Sequence, residues 1–558
     1  MRIKDLIESI YSDQRLLRGY FLKAEGHIDY FFNLINELRD TCDNPIEKGK
    51  LLRQFTEIFN IFTFSVKAEL LLLRILYLGG CFNSRFLNRF MDCIYSDSLC
   101  AEDRLFLWQD ATMMYLEHGE YLYKEFFLQK RELTSEIAQS FKLTNHGRRA
   151  SEAEAARDSK RIVVTQIMYP DYPPMKVTTP VLRELANKGY ELYLIELSAF
   201  EYDSGNSLFE PFYRPRVSAS EFKNDLGCVP VCEFKTDLGD ISARDIRTGF
   251  KTDFGNGVGT GIHVYYPNGN TMKERMQDIL NRINEINPAL IIDISDEYSF
   301  ISYYYIQDYP VIYWPMKRPS SGAYFDKIVM PRAFYAASSM EIAHPFTAEQ
   351  CIDVAPAFEK VSPAGCYSRS DFDLSREDFV MITVGNRINV ELSNKFIDSI
   401  CDLLNNTPHL VWFIVGCDAV AYVSDKYRAL LGGQLRYIKY EEKLPDLFSI
   451  CDLYLNPHRI GGGTSIAWAC QQGLALATPK GNISGYVFAG DTYAAPSEDD
   501  LAPYIIELMS DKNLLNKNKQ YMKAKADSFD VASAAGDFKM EIDKLIDEYY
   551  SQRQVQSL

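Results

Sequence analysis

The chain has 558 residues, a net charge of −16 and 47% apolar residues, with 36 tyrosines and 34 phenylalanines. One hydrophobic core does not serve that length, so about two to four domains are expected. The acidic balance excludes DNA or RNA as a partner, because a phosphate backbone asks for a basic footprint, but it leaves nucleotide sugars open, since a local site holds them through backbone amides and a few cations.

Met1 to Ile10 carries charges where a signal peptide would be apolar. The most apolar stretch, Phe59 to Tyr77, is interrupted by Lys67, Glu69 and Arg74, and reads as a core helix, with no transmembrane segment expected. The 12 cysteines are scattered without a CxxC pair, and the close pair Cys228 and Cys232 has no histidine cluster beside it. Buried reduced thiols and a cytoplasmic location are expected, with no metal site.

Residues 1 to about 150 read as helices throughout. Ile3, Leu6, Ile7 and Ile10 recur at helical spacing, as do Phe31, Leu34, Ile35 and Leu38, and then Leu51, Leu52, Phe55, Ile58 and Phe59. The pattern predicts an all-helical module of about five to seven helices, suited to binding an acceptor or partner and to homo- or hetero-oligomer contacts. The polar stretch Thr144 to Ser159 reads as a linker or exposed helix.

Alternation then begins, and it predicts an α/β fold of two Rossmann-like doubly wound domains. In the first, over about 160–335, strands are expected at Arg161–Met168, Glu191–Leu197, Ala289–Asp296 and Pro310–Trp314. Helices are expected at Val177–Gly189, Met272–Ile286 and Glu297–Asp308. Residues from about 200 to 270 read as a β-rich insertion. Within it, Gly255 to Gly261 superficially matches a dinucleotide fingerprint, but Ile262 to Tyr266 follows as a strand, so a hairpin is the better reading.

A mixed segment leads to the second alternation, over about 376–510. Strands are expected at Phe379–Val384, Leu410–Val415, Leu435–Tyr440, Asp452–Leu455 and Ala475–Thr478, and helices at Glu391–Asn405, Leu444–Ile450, Ile466–Gln472 and Leu501–Met509. Leu514–Tyr549, within a closing segment 511–558, reads as helical and possibly crosses back. Ligands of such sheets bind beyond the carboxyl ends of the strands, so two such edges facing one another would make a cleft.

The strand ending in Leu455-Asn456-Pro457-His458 runs into Arg459-Ile460-Gly461-Gly462-Gly463-Thr464-Ser465 and then a helix. Amide groups at a helix N-terminus hold a diphosphate, because orphan donors and the positive end of the dipole point the same way. Glycines admit the phosphate close to the backbone, and the Thr464 and Ser465 hydroxyls can cap the helix and donate to oxygens. The alternative is an ordinary turn of a parallel sheet.

Other candidates follow strand ends. Asn386 and Arg387 follow the first strand of the second half, where Arg387 can neutralise a phosphate or pair with Glu391. Lys439 can meet a pyrophosphate and Tyr440 can stack on a base, although Lys439 can equally be solvated. His458 and Arg459 should face the cleft, with His458 donating to the leaving diphosphate. Lys480 to Ser484 can border the donor, and Asp491 can accept from a ribose hydroxyl. In the first half, Asp171 can act as general base and Lys176 can steady an acceptor or diphosphate oxygen. One of Asp293, Asp296 and Glu297 can be catalytic, with Asp296 also placed to cap a helix.

Asp452 to Gly481 resembles the carboxyl-terminal half of GT-B glycosyltransferases in its order of strand, Asn-Pro, glycine turn, helix ending in glycine, and apolar strand. The two-half layout resembles the same fold. With the leading helices, the chain looks most like the soluble glycosyltransferases that modify bacterial adhesins, relatives of the O-GlcNAc transferases. That resemblance implies an inverting transfer from a UDP-sugar to a polypeptide side chain, without metal or other cofactor. It implies that Gly462, Gly463, Thr464 and Ser465 hold the diphosphate.

Two departures stand out. Trp468 occupies the place of the acid in the paired-glutamate retaining subgroup, and Lys176 stands roughly where these relatives have a histidine. The acceptor is expected to be a protein or a glycan. A non-catalytic subunit of the same fold, binding a partner transferase or a substrate protein, is the rival reading; a sugar-nucleotide epimerase is a third.

Overall fold

The structure is a computed structural model. It describes residues 28–556 apart from most of 97–122, residues 146–154, 167–174, 198–251, 254–261, 295–300, 316–323 and 331–345, and short runs or single positions elsewhere, among them 386–387, 389–391, 460–461 and 481. The chain divides into two compact units. The first comprises Met1–Tyr172, Leu185–Asp353 and Lys539–Leu558; the second comprises Pro173–Glu184 and Val354–Phe538.

The first unit opens with helices α1 (Ile28–Cys42), α2 (Pro45–Ile61), α3 (Val66–Leu78), α4 (Ser84–Ile94) and α5 (Tyr123–Phe141). Their starts are written locally: Asn44, Ser65 and Asn83 accept from first-turn amides of α2, α3 and α4, and Pro45 occupies a position where no amide is needed. Gly79, which ends α3, lies so close to α1 that a Cβ there would meet Leu38 Cβ at 2.5 Å. That contact sets how tightly the two helices pack.

Along the chain, strands β1 (Arg161–Gln166) and β2 (Glu191–Glu196) flank helix α6 (Met175–Asn187), which belongs to the second unit as far as Glu184 and is followed by the left-handed Gly189. Next come β3 (Thr252–Asp253), β4 (Ile262–Tyr265), α7 (Met272–Ile286), β5 (Leu290–Ile294), the single turn α8 (Ser302–Tyr305), β6 (Val311–Tyr313), β7 (Lys327–Val329) and β8 (Cys351–Ile352). The sheet order is β3-β4-β2-β1-β5-β6-β7-β8. Neighbours pair in parallel except β3 with β4, which pair antiparallel, so the strands on either side of residues 254–261 form a hairpin pair.

The leading helices are not a separate globule. One continuous apolar cluster joins Leu38, Phe55, Leu72, Phe86 and Phe141 to Met276, Ile279 and Ile283 of α7 and to Ile291 and Val311 of the sheet. Polar ties reinforce it. Thr144 exchanges two hydrogen bonds of 2.8 Å with the Gln277 side-chain amide, and Asn145 donates to Tyr304 O and to Asp308. The start of the expected linker is therefore fastened down.

The second unit holds a five-stranded, all-parallel sheet in the order β11-β10-β9-β12-β13. In chain order its elements are β9 (Phe379–Val384), α9 (Asn394–Asn406), β10 (Leu410–Val415), α10 (Ala421–Lys426), β11 (Leu435–Ile438), α11 (Leu444–Ser449), β12 (Leu453–Leu455), α12 (Gly463–Gln471), β13 (Ala475–Ala477), α13 (Ile483–Tyr493), α14 (Leu501–Ser510) and α15 (Lys512–Ser528). Every residue of β10, β12 and β13 is buried, as a parallel sheet covered on both faces requires.

The sequence reading of one helical run over Leu514–Tyr549 is corrected here. The chain breaks at Phe529 and Asp530, and α16 (Val531–Gln556) starts anew with Asp530 accepting from Ser533 N. From Lys539 onward α16 belongs to the first unit, where Tyr550 donates to Ala289 O and Tyr190 bonds Asp543. Among the described residues no helix is long and apolar enough to cross a membrane.

Candidate functional site

Because the second sheet is parallel throughout, all its strands end on one edge. Two of those ends meet. β9 and β12 are neighbours, and the turns that leave them, at Gly385 and at Gly462, are joined by one side chain. Arg459 is only 7% exposed. Its Nε donates to Asn456 Oδ1 at 2.8 Å, its Nη1 to Val384 O at 2.8 Å, and its Nη2 to Tyr454 Oη at 3.0 Å. All three acceptors are neutral, and among the described residues no carboxylate pairs with this guanidinium.

The glycines follow from that placement. A Cβ on Gly385 would lie 2.4 Å from Arg459 Nη1, and one on Gly462 would lie 2.4 Å from Nη2. Gly462 also has φ +91, in the left-handed region that L-residues avoid. It is the N-cap of α12 and brings no side-chain cap, so the amides of Gly463, Thr464 and Ser465 have no acceptor inside the helix; the first intrahelical bond is Ile466 N to Gly462 O at 3.0 Å.

A buried polar frame holds the turn. Asn456 and Asn482 are both essentially unexposed. Asn456 receives Arg459 on one side and donates to Thr478 Oγ1 at 3.4 Å on the other. Asn482 donates to Pro457 O at 2.6 Å and to Arg459 O at 3.3 Å, while its Oδ1 caps α13 through Gly485 N. Sequence reasoning placed residues 480–484 beside a ligand; Asn482 instead fastens the turn.

The candidates from the sequence are distributed as follows. Gly462, Gly463, Thr464 and Ser465 form the start of α12 and are all partly exposed. The Ser465 hydroxyl is committed to the turn, donating to Gly462 O at 3.0 Å and lying 2.7 Å from Tyr454 Oη. It is corrected from a phosphate-donating hydroxyl to a brace, while its amide stays in the first turn. His458 is exposed, and its backbone amide donates to Glu498 at 2.7 Å. Arg459, expected to face the cleft, is buried and its guanidinium finds three acceptors.

Lys439 and Tyr440 follow β11, and Tyr440 is 73% exposed. β11 is separated from β12 by β10 and β9, about 14 Å across a sheet with strand spacings of about 4.8 Å. Lys480 and Asp491 pair with each other at 3.1 Å, and this ion pair together with Tyr486 holds the Asp491 carboxyl below its usual range. Asp171, Asn386, Arg387 and Gly461 lie outside the described residues, as do Asp296 and Glu297. Lys176 is the second residue of α6.

In the first unit, Asp293 lies one residue before the end of β5 and is fully buried. It accepts from Thr165 Oγ1 at 3.2 Å. Burial, and then the Asp293 charge, pushes the Tyr305 hydroxyl well above its ordinary range.

No protein-family model and no curated protein sequence matches the chain. Solved structures do. A mutant of the O-GlcNAc transferase from Thermobaculum terrenum aligns over 99% of this chain and 98% of that one, with a TM-score of 0.56 at 12% identity. The fold is that of a GT-B glycosyltransferase. Two other solved structures match at lower similarity. Sucrose-phosphate synthase from Thermosynechococcus elongatus covers 70% of this chain and 99% of its own, with a TM-score of 0.46 at 9% identity. A glycosyltransferase from Rickettsia africae covers 70% and 99%, with a TM-score of 0.44 at 11% identity.

Proposed function

We propose that the chain is a glycosyltransferase that takes a sugar from a nucleotide sugar, with UDP as the nucleotide, and moves it to a protein or glycan acceptor. One observation carries this reading: a helix N-terminus without a side-chain cap on a GT-B sheet edge, backed by a buried guanidinium whose partners among the described residues are all neutral. Exposed amides and an unpaired positive charge together are what a leaving diphosphate needs. The O-GlcNAc transferase likeness supports the same reading through the fold.

In the reaction, an acceptor atom bonds to the anomeric carbon as the bond from that carbon to the diphosphate oxygen breaks. The proton of the acceptor passes to a base, for which Asp171 is the candidate, with Lys176 steadying an oxygen. The bond electrons leave on the diphosphate, where the amides of Gly463, Thr464 and Ser465 receive the charge and His458 donates from the rim. Asn386 and Arg387, which directly follow Gly385 in the sequence, are the further candidates to neutralise the diphosphate. Single displacement inverts the anomeric configuration, and no metal is required because protein groups take up the charge.

Calorimetry of the full chain against UDP, GDP, ADP and TDP tests the donor reading, followed by UDP-sugar turnover with and without EDTA. UDP binding and EDTA-insensitive turnover are expected. A strict manganese requirement contradicts the metal-free mechanism. Binding of no nucleoside diphosphate overturns the proposal, and UDP binding without turnover on any acceptor favours a non-catalytic subunit.

A further inference from the structure

We propose that Arg459 is a positioning residue that ties diphosphate recognition to the shape of two turns at once. The inference rests on reading the α12 turn as the diphosphate site. Its basis is the fork geometry: Nη1 reaches Val384 O at the end of β9, Nη2 reaches Tyr454 Oη on β12, and Nε reaches Asn456. Tyr454 in turn lies 2.7 Å from Ser465 Oγ, which donates to Gly462 O, so the guanidinium governs the backbone that presents the first-turn amides of α12.

An ammonium cannot replace this side chain. Lysine carries a point charge with no planar fork, so it cannot address three acceptors diverging in one plane. A neutral side chain of similar length keeps the packing but removes the charge behind the turn. The closeness of Gly385 gives a third handle. Alanine there would press a Cβ to 2.4 Å from Nη1 and 3.3 Å from Ile388 Cγ1, at a residue without positive φ, moving the fork while leaving the charge.

The test measures UDP and UMP binding to the full-length chain by calorimetry, with melting by circular dichroism, for the unsubstituted protein and for Arg459→Met, Arg459→Lys and Gly385→Ala. The ratio of UDP to UMP affinity is decisive, since it reads the extra phosphate, whereas a merely structural role moves both affinities together. The unsubstituted chain is expected to prefer UDP. Arg459→Met is expected to lower UDP affinity by roughly 10- to 100-fold, the range of hydrogen bonding and charge at a desolvated anion, and to collapse the ratio.

Arg459→Lys is expected to lose at least about tenfold in UDP affinity despite its charge. Gly385→Ala is expected to lower the ratio in the same direction. If Arg459→Met does not fold, the other two variants decide. An unchanged ratio in Arg459→Lys and Gly385→Ala, or a parallel loss of UDP and UMP, overturns the inference and leaves the glycosyltransferase reading standing. An unsubstituted chain that binds neither nucleotide overturns that reading, and this inference with it.

Discussion

Gly462→Ala and Gly463→Ala are adjacent substitutions that the structure separates sharply. At Gly462 a methyl group meets two obstacles. The backbone is at φ +91, where an L-residue costs about 1–2 kcal/mol. The added Cβ would also sit 2.4 Å from Arg459 Nη2, 3.0 Å from Cζ and 3.3 Å from Nε. The guanidinium is buried and bonded on three sides, so it yields only by giving up a charged hydrogen bond, about 1.5–3 kcal/mol. Together these come to ~3–5 kcal/mol. At Gly463 the φ is ordinary and nothing lies within 4 Å of the added Cβ. Alanine there shortens the list of unfolded conformations and should be neutral or stabilising by about 0.4–1 kcal/mol.

Thermal melts followed by calorimetry with UDP check this pair. For a unit of this size the Gly462→Ala cost corresponds to a drop of about 6–20 °C in the melting of the second unit. Gly463→Ala should melt at or slightly above the unsubstituted temperature yet bind UDP less tightly, since its new methyl group projects into open space beside the first-turn amides. Equal melting of the two variants would refute the claim that Gly462 is a glycine for reasons of fold. Undiminished UDP affinity in Gly463→Ala would remove the helix start from the binding surface.

Three further outcomes are expected. Asn518 of α15 is fully buried and presents its amide to edge strand β13, accepting from Leu476 N at 3.0 Å and donating to Leu476 O at 3.2 Å; Asn518→Ala should cost ~2–4 kcal/mol and speed hydrogen exchange at the Leu476 amide. Asp398 of α9 accepts from Lys426 at 2.9 Å and from Tyr422 and Tyr427, with Lys426 the leading cause that holds its carboxyl down at about 2. Because the folded value is depressed below the unfolded one, about 3.9, this stabilisation is full above about pH 4 and is lost as the pH falls towards 2. The melting difference between the unsubstituted chain and Asp398→Asn should shrink over that window, and a constant difference would contradict it. Deleting residues 1–150 should yield an aggregating or dye-binding first unit, because the buried apolar side chains that share one cluster with these helices, among them Met276, Ile279 and Ile283, are worth ~1.5–3 kcal/mol each against the ~5–15 kcal/mol that keeps a domain folded; a monomeric, cooperatively melting product would show the helices to be dispensable.

What could be read from the sequence follows the strength of its periodic signals. Phe379–Val384, Leu410–Val415 and Met272–Ile286 appear in the structure with the bounds expected of them, because an unbroken apolar run between turns, or a long amphipathic stripe, has few alternative readings. Strands β7 and β8, of 3 and 2 residues, are too short to carry a pattern and fell within or beside the mixed segment. Helix α13 was missed because glycine reads as loop: Gly485 and Gly490 both lie inside it. Gly485 is there because a Cβ would lie 1.9 Å from Thr478 Oγ1, and Gly490 adopts φ +57 at a kink. The glycine turn was legible from its composition. The inward turn of Arg459 was not, since an arginine beside glycines at a strand end looks like a ligand-facing residue until its acceptors, contributed by β9 and by β12 with the residue after it, are known. The nearest available signal was Asn456, a polar residue inside an otherwise apolar strand end, which needs a buried donor.

The site also has to overcome the rest of the molecule. A chain of net charge −16 repels a diphosphate at long range. Surface charges act through water and are screened beyond about 8 Å at physiological ionic strength, whereas a desolvated charge is screened far less. A single buried cation can therefore outweigh many exposed carboxylates, provided no carboxylate is buried with it. Among the described residues Arg459 meets that condition, because its three acceptors are an amide oxygen, a carbonyl and a phenol. Two ion pairs near this edge illustrate the contrast, and the Glu498 carboxylate that accepts from His458 N is bound at an exposed position and not to the guanidinium. Lys480 lies against Asp491 and Lys395 against Asp499, in exposed pairs that cancel locally and contribute little field. If this turn is the diphosphate site, as proposed, its selectivity for an anion comes from withholding a counter-charge from Arg459, while the surrounding surface is free to stay acidic.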